Sequence, residues 1–162
     1  MANILYAYAD ADWASSDLIN RRSVTGYLTY LNGGVISWAS TVQKSVAKST
    51  VEAEYYALSA ASDEVMFLRA FLKELGFAQM ESTVINEDNK GTRDLATNPV
   101  FHKRTKHIEI RYHSIMERVE QGHITINLVE SKSNIADILT KATSIKLFKT
   151  NVSQVVIDPN AL

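Results

Sequence analysis

Between Ser49 and Leu75 the apolar residues recur every three or four positions. Val51, Tyr55, Leu58, Val65, Leu68, Leu72 and Leu75 share one stripe with Ser62, which predicts a single long amphipathic helix. No Gly or Pro interrupts it, and Gly76 follows as a stop. Ser49-Thr50-Val51-Glu52 has the form of a capping box. In that arrangement the Ser49 hydroxyl accepts from the Glu52 amide and the Glu52 carboxylate reaches back to the Ser49 amide. Glu52 therefore has a structural task. Glu54 falls inside the stripe, beside Leu58, Ala61 and Val65, and a carboxylate on a burying face is costly unless it is paired or bound to a cation. Either it snorkels from the edge of the stripe or it waits for a cation. The convergence of other carboxylates on the same place decides between the two.

Shorter segments alternate instead of repeating at helical spacing. Ile4 to Ala9 is β-favouring and ends in Asp10-Ala11-Asp12, a first strand with acid at its end. Thr25 to Leu31 and Val35 to Ser40 predict two more strands, and Asn32-Gly33-Gly34 between them reads as a hairpin turn. Thr83-Val84-Ile85 is a short strand ending in Asn86-Glu87-Asp88-Asn89, and Lys90 to Ala96 predicts a short helix. Ile108 to Gln121 predicts a helix stopped by Gly122, Ile124 to Val129 a last strand, and Asn134 to Thr140 the opening of another helix. The pattern fades beyond Leu147, so one domain is expected over residues 1–147 and a partly disordered tail over 148–162. Three strands, a helix, a strand, two helices, a strand and a helix imply an α/β fold with a mixed sheet and helices on both faces. Sites in such sheets form where the parallel strands end.

A length of 162 residues suits a single core. No apolar run is long enough to span a bilayer, and Met1-Ala2 leads straight into strand-like sequence, so neither a membrane span nor a signal peptide is expected. The chain has no cysteine, which removes disulfide frameworks and thiolate metal sites. A net charge of −1 argues against a polybasic nucleic-acid binder, so any such contact rests on a local patch.

The acids gain meaning together. Individually, Asp10 and Asp12 could simply end a strand, Asp88 or Asn89 could cap the helix at Lys90, and Asp137 could favour a helix dipole three residues after Asn134. Collectively, Asp10 and Asp88 end strands, while Glu54 and Asp137 sit in first turns of helices facing the sheet. Carboxylates without cysteine or a spaced His pair select hard cations, Mg²⁺ or Mn²⁺. Two such ions about 4 Å apart can activate water and stabilise a leaving oxygen in phosphoryl chemistry.

Seven ordered motifs extend this reading: Tyr8-Ala9-Asp10-Ala11-Asp12-Trp13-Ala14, Arg22-Ser23-Val24-Thr25-Gly26-Tyr27, Ile36-Ser37-Trp38, Ser49-Thr50-Val51-Glu52-Ala53-Glu54-Tyr55, Glu87-Asp88-Asn89, Arg104-Thr105-Lys106-His107-Ile108 and Asn134-Ile135-Ala136-Asp137-Ile138-Leu139-Thr140-Lys141. They are spread in order over the chain from Tyr8 to Lys141. In this set the chain resembles the ribonuclease H domain at the C-terminal end of copia-type LTR-retrotransposon polyproteins. The resemblance implies a five-stranded mixed sheet and an Asp-Glu-Asp-Asp site that binds two Mg²⁺ ions, with Mn²⁺ as substitute. Carried over, the four acids are Asp10, Glu54, Asp88 and Asp137, and the preference for Asp10 over Asp12 comes from the family pattern. Two departures stand out. The stretch Glu130-Ser131-Lys132-Ser133 lacks the His that many relatives carry before the last Asp, and Glu109 stands where the copia pattern often has Asp.

The activity implied is endonucleolytic hydrolysis of the RNA strand of RNA–DNA hybrids during reverse transcription, leaving 3′-hydroxyl and 5′-phosphate ends. The alternative is a catalytically silent module that binds hybrid or scaffolds a reverse transcriptase, because fold alone does not dictate activity; retention of all four acids favours the enzyme. The implied partners are the hybrid and the polymerase domain of the same polyprotein, and the implied location is cytoplasmic, within virus-like particles. Selecting RNA requires contacts to 2′-hydroxyls across the minor groove, for which Ser40, Gln43 and Asn89 are candidates. Lys103, Arg104, Lys106 and His107, with Arg111, form the one basic track suited to phosphates. Without the resemblance, the same segment reads equally well as a solvated face. Trp13, Trp38 and Tyr55 are assigned to core or rim packing.

Overall fold

The computed structural model describes residues 3–15, 19, 21–98 and 109–155, with backbone alone at 109 and 110. Its strands are β1 (Leu5–Asp12), β2 (Val24–Leu31), β3 (Gly34–Val42), β4 (Thr83–Glu87) and β5 (Ile124–Leu128). Its α-helices are α1 (Thr50–Glu74), α2 (Lys90–Thr97), α3 (Glu109–Glu120) and α4 (Ile145–Val155). The five strands form one mixed sheet in the order β3-β2-β1-β4-β5. The first three make an antiparallel meander, and β4 and β5 run parallel to β1. Asn32 and Gly33 both take positive φ, 54° and 84°, so the β2–β3 connection is a two-residue turn and Gly34 already opens β3. Among the described residues no helix is long and apolar enough to cross a membrane.

Alternation along β1 divides the core. Leu5, Ala7, Ala9 and Ala11 are buried with Ala53, Ala57, Leu58 and Ala61 of α1 and with Tyr112, Ile115 and Met116 of α3. Alanine on both surfaces removes the side-chain bulk that would otherwise hold a helix away from a sheet, so α1 lies close on β1. Tyr6 and Tyr8 point to the opposite face, where they pack with Leu28, Tyr30 and Ile135, and the Tyr6 and Tyr30 rings stack 4.9 Å apart. This second face is covered by a 3₁₀ turn, Ile135–Leu139, and by Val155 of α4.

The structure departs from the expected pattern in three places. The helix expected from Asn134 is this five-residue 3₁₀ turn, fixed by tertiary contacts rather than by an amphipathic stripe. Beyond Leu147 the chain continues as α4 to Val155, with Asn151 buried in its middle. Leu75 is the C-cap of α1 and is exposed instead of closing the apolar stripe, with Gly76 at φ 85° behind it. Tyr55 is fully buried as expected, whereas Trp38 on the edge strand is 65% exposed and Trp13 sits at the rim, its indole N–H donating to the Ala47 carbonyl at 3.0 Å.

Candidate metal centre

The parallel register of β1 and β4 builds the first half of the site. Tyr8 pairs with Asn86, so two residues further along the two strands deliver Asp10 and Asp88 side by side at the end of the sheet. Asn86 reinforces this register by donating from Nδ2 to the Ala7 carbonyl at 3.0 Å while its Oδ1 accepts from Asn127 Nδ2 on β5 at 2.8 Å. Asp88 is not consumed as a helix cap, because Asn89 takes that role and accepts from the Thr92 amide at 3.1 Å.

The start of α1 supplies the next acid. Ser49 accepts from the Glu52 amide at 3.2 Å, as the capping box predicts. The Glu52 carboxylate reaches one residue further back than expected: its Oε2 accepts from the Lys48 amide at 2.8 Å, and Oε1 accepts from the Tyr56 hydroxyl at 2.7 Å. Both oxygens of Glu52 are thus committed, and the side chain is structural. Two residues on, the close seat of α1 on β1 lets Glu54 Oε2 accept from the Ala11 amide at 2.7 Å. Asp10, Glu54 and Asp88 each place one carboxylate oxygen within 4.8 Å of the others. Asp12 is not among them.

Asp137 arrives from the second face. Asn134 clips the 3₁₀ turn to β1 through Nδ2, which donates to the Ala9 carbonyl at 2.8 Å, and its Oδ1 accepts from the Ala136 amide. Thr140 donates to Asp10 Oδ2 and lies 3.2 Å from the Asp137 carbonyl. The turn fits only because residue 26 is glycine, since a Cβ there would stand 2.6 Å from Thr140 Cγ2 and 2.9 Å from Leu139 Cβ. Asp137 is buried, yet it is separate from the three converging oxygens and is joined to Asp10 by Lys141. The Lys141 ammonium lies 2.9 Å from Asp137 Oδ1 and 3.7 Å from Asp10 Oδ1.

Electrostatics follows from this crowding. Desolvation pushes the Asp10 carboxyl up to about 7, with Asp137 and Asp88 adding to the rise and Thr140 and Lys141 opposing it. Glu54 rises for the same first reason, then through Glu87, Asp10 and Asp88, against the Ala11 amide. Burial draws the Lys141 ammonium down, but its contact with Asp137 and the charges of Asp10 and Asp88 outweigh that and raise it.

Three participants were absent from the sequence reading of the site. Lys141 and Thr140 lie in the last motif without a role there, and no spacing rule links them to Asp10, from which Thr140 is 130 residues away. Glu87 is fully buried, with Oε1 accepting from the Asn89 amide and Oε2 accepting no hydrogen bond. Its strand parity with the buried Thr83 and Ile85 was the available signal.

The donor set fits a hard divalent cation. It consists of oxygens alone, and Asp10 Oδ1 is buried without a hydrogen bond. Asp10, Glu54 and Asp88 are the residues able to hold such an ion, with Asp137 beside them.

The expected nucleic-acid contacts are less uniform. Lys103, Arg104, Lys106 and His107 lie outside the described residues. Arg111 stacks its guanidinium 4.4 Å from the centre of the Tyr56 ring. Gln43 is buried, and both its N–H donors are taken, by Thr25 Oγ1 and the Ala53 carbonyl, each at 2.9 Å. Asn89 commits its oxygen to the α2 cap, and Ser40 donates to the Leu139 carbonyl at 2.6 Å.

No family model matches the chain. It is 46% identical over 138 residues, 85% of its length, to the Retrovirus-related Pol polyprotein from transposon TNT 1-94 of Nicotiana tabacum. It is 41% identical over 151 residues, 93% of its length, to the Retrovirus-related Pol polyprotein from transposon RE1 of Arabidopsis thaliana. The chain spans 10% of the length of each of these relatives. The fold is that of LC11-RNase H1, isolated from compost by a metagenomic approach, with a TM-score of 0.62 at 15% identity, covering 93% of this chain and 99% of that one. A second structure of that protein, in complex with an RNA/DNA hybrid, gives a TM-score of 0.61 at 16% identity over 84% of this chain and 93% of that one.

Proposed function

We propose that this chain, a relative of the copia-type Pol polyproteins with the ribonuclease H fold, is a metal-dependent endonuclease that hydrolyses the RNA strand of RNA–DNA hybrids. The observation that carries the reading is the convergence of Asp10, Glu54 and Asp88 within 4.8 Å at the ends of two parallel strands of this fold. Asp10, Glu54 and Asp88 would hold one divalent ion, Mg²⁺ or Mn²⁺, and Asp137 would join Asp10 in holding a second. Lewis-acid activation of water and neutralisation of phosphate charge are what bound ions supply in such a site. The chain's own part is positioning. The Ala11 amide fixes the Glu54 carboxylate, Thr140 fixes one oxygen of Asp10, and Asn134 fixes the turn that carries Asp137. Glu54 is thereby oriented by a backbone amide, and Asp10 keeps Oδ1 without a hydrogen bond, 3.7 Å from the Lys141 ammonium.

The substrate side follows from the same reading. Lys103, Arg104, Lys106 and His107, with Arg111, engage phosphates, and the polymerase region of the same polyprotein presents the hybrid. The products carry 3′-hydroxyl and 5′-phosphate ends. Incubation of the purified chain with end-labelled hybrid, RNA duplex and DNA duplex, with and without Mg²⁺, tests the proposal. Cleavage confined to the RNA of the hybrid and dependent on the ion is expected. Intact hybrid at every Mg²⁺ and Mn²⁺ concentration, under conditions in which the chain binds hybrid, would contradict it and favour a binding module.

A further inference from the structure

Lys141 has no part in the chemistry described so far, yet its ammonium is the cationic side-chain group that meets the carboxylate cluster among the described residues. It lies 2.9 Å from Asp137 Oδ1 and 3.7 Å from Asp10 Oδ1, and neither oxygen accepts a hydrogen bond from any other group. Both carboxylates are nearly inaccessible, at 1% for Asp10 and 4% for Asp137. Two buried anions without a counter-charge would be strongly destabilising, and the ammonium offsets part of that cost. The remaining oxygen of Asp10 is held by Thr140, one residue before Lys141, so one short turn supplies both a hydroxyl and an ammonium to the same carboxylate. The Lys141 side chain is 38% exposed, which leaves its flexible stem a route to solvent that the acids lack.

We infer that Lys141 is a resident cation of the site: its ammonium bridges Asp10 and Asp137 and competes with a divalent ion for that side of the cluster. The inference rests on the metal-centre reading above and adds to it a residue that sets how readily the second position fills. On the side formed by Asp10, Glu54 and Asp88, Lys141 makes no ion pair with Glu54 or Asp88, so an ion held there displaces no contact between the ammonium and those two acids. On the Asp10–Asp137 side, an ion gains both oxygens only when the ammonium has swung outward. Lys141 is thus a positioning residue, one that orders the filling of the two positions and preserves the Asp10–Asp137 geometry between fillings.

Calorimetric titration of the full chain with Mn²⁺ tests this without recourse to activity, using wild type, Lys141→Met and Lys141→Arg. Lys141→Met keeps the length of the stem and removes the charge, and it is expected to tighten the weaker Mn²⁺ site by about tenfold or more while leaving the tighter site within a few-fold. It also lowers the melting temperature of the ion-free protein and increases the rise in melting temperature caused by Mn²⁺. Lys141→Arg restores the cation and returns the isotherm toward wild type. Asp137→Asn in the Lys141→Met background removes the gain. An isotherm for Lys141→Met that superposes on wild type, in a protein that melts cooperatively, overturns the role of Lys141 while the metal centre stands. Absence of Mn²⁺ binding in all variants, wild type included, overturns the metal centre itself.

Discussion

The two sides of Asp10 are built on opposite terms. Toward Asp137, one oxygen receives the Thr140 hydroxyl and the other faces the Lys141 ammonium, so the negative charge is answered within the chain. Toward Glu54 and Asp88, three carboxylate oxygens crowd within 4.8 Å, and no Lys or Arg among the described residues ion-pairs with Glu54, Glu87 or Asp88. Backbone amides hold those acids in place: Ala11 donates to Glu54 and Asn89 to Glu87. An amide dipole orients a carboxylate without cancelling its charge. The contrast separates a side whose charge meets a cation of the chain from one where no cationic side chain among the described residues pairs with the acids.

The comparison breaks most sharply at Glu54. Gln at position 54 still accepts from the Ala11 amide, so the fold persists while an ion ligand weakens. Glu54→Gln is expected to cut hybrid cleavage by more than the about 100-fold seen for outer-shell partners of metal sites, with an unchanged circular dichroism spectrum. Gly26→Ala attacks the other side indirectly. Its Cβ meets Thr140 and Leu139, so the turn that carries Asp137 and Lys141 must shift. Overpacking of this kind costs about 1–3 kcal/mol, measurable by denaturant unfolding, and cleavage should fall with it.

Acidity sharpens the contrast further. The folded-state pKa of Asp10 is raised from an ordinary carboxylate value to about 7. Its neutral form is therefore favoured by folding. The stability it contributes is fully present below about pH 4 and is lost as pH rises toward 7. The ion-free protein should accordingly lose melting temperature over that window, and saturating Mg²⁺ should flatten the loss. The smallest effect belongs to Glu52, whose oxygens cap Lys48 and accept from Tyr56. Glu52→Gln should cost about 1 kcal/mol in unfolding and leave the cleavage rate intact.

The legibility of these features in the sequence varied with their origin. Helix α1 was legible to its caps because 25 residues repeat one period between Ser49 and Gly76. Glu54 was separable from Glu52 by the same wheel. The choice between Asp88 and Asn89 as the cap of α2 became clear only in the structure, where Asn89 takes it. The turn at Ile135–Leu139 was misread as an ordinary helix opening, because its shape comes from Asn134 reaching Ala9 and from the space above Gly26. Neither contact has a local signature. In α4, buried Asn151 interrupts the stripe while Ile145 and Phe148 remain exposed, so amphipathic spacing was obscured. Lys141 was in plain view, but its role depends on a fold that joins the last motif to the first.

A melting titration with Mg²⁺ on wild type, Asp10→Asn and Asp12→Asn tests most directly where the external cation sits. An ion that binds only the folded chain raises the melting temperature by mass action. Asp10 faces the cluster at 1% exposure, whereas Asp12, the other acid on that end of β1, is outside it. The expected result is clear stabilisation of wild type and Asp12→Asn, with most of it lost in Asp10→Asn. Equal loss in both variants, or a larger loss in Asp12→Asn, would contradict a centre built on Asp10, Glu54 and Asp88.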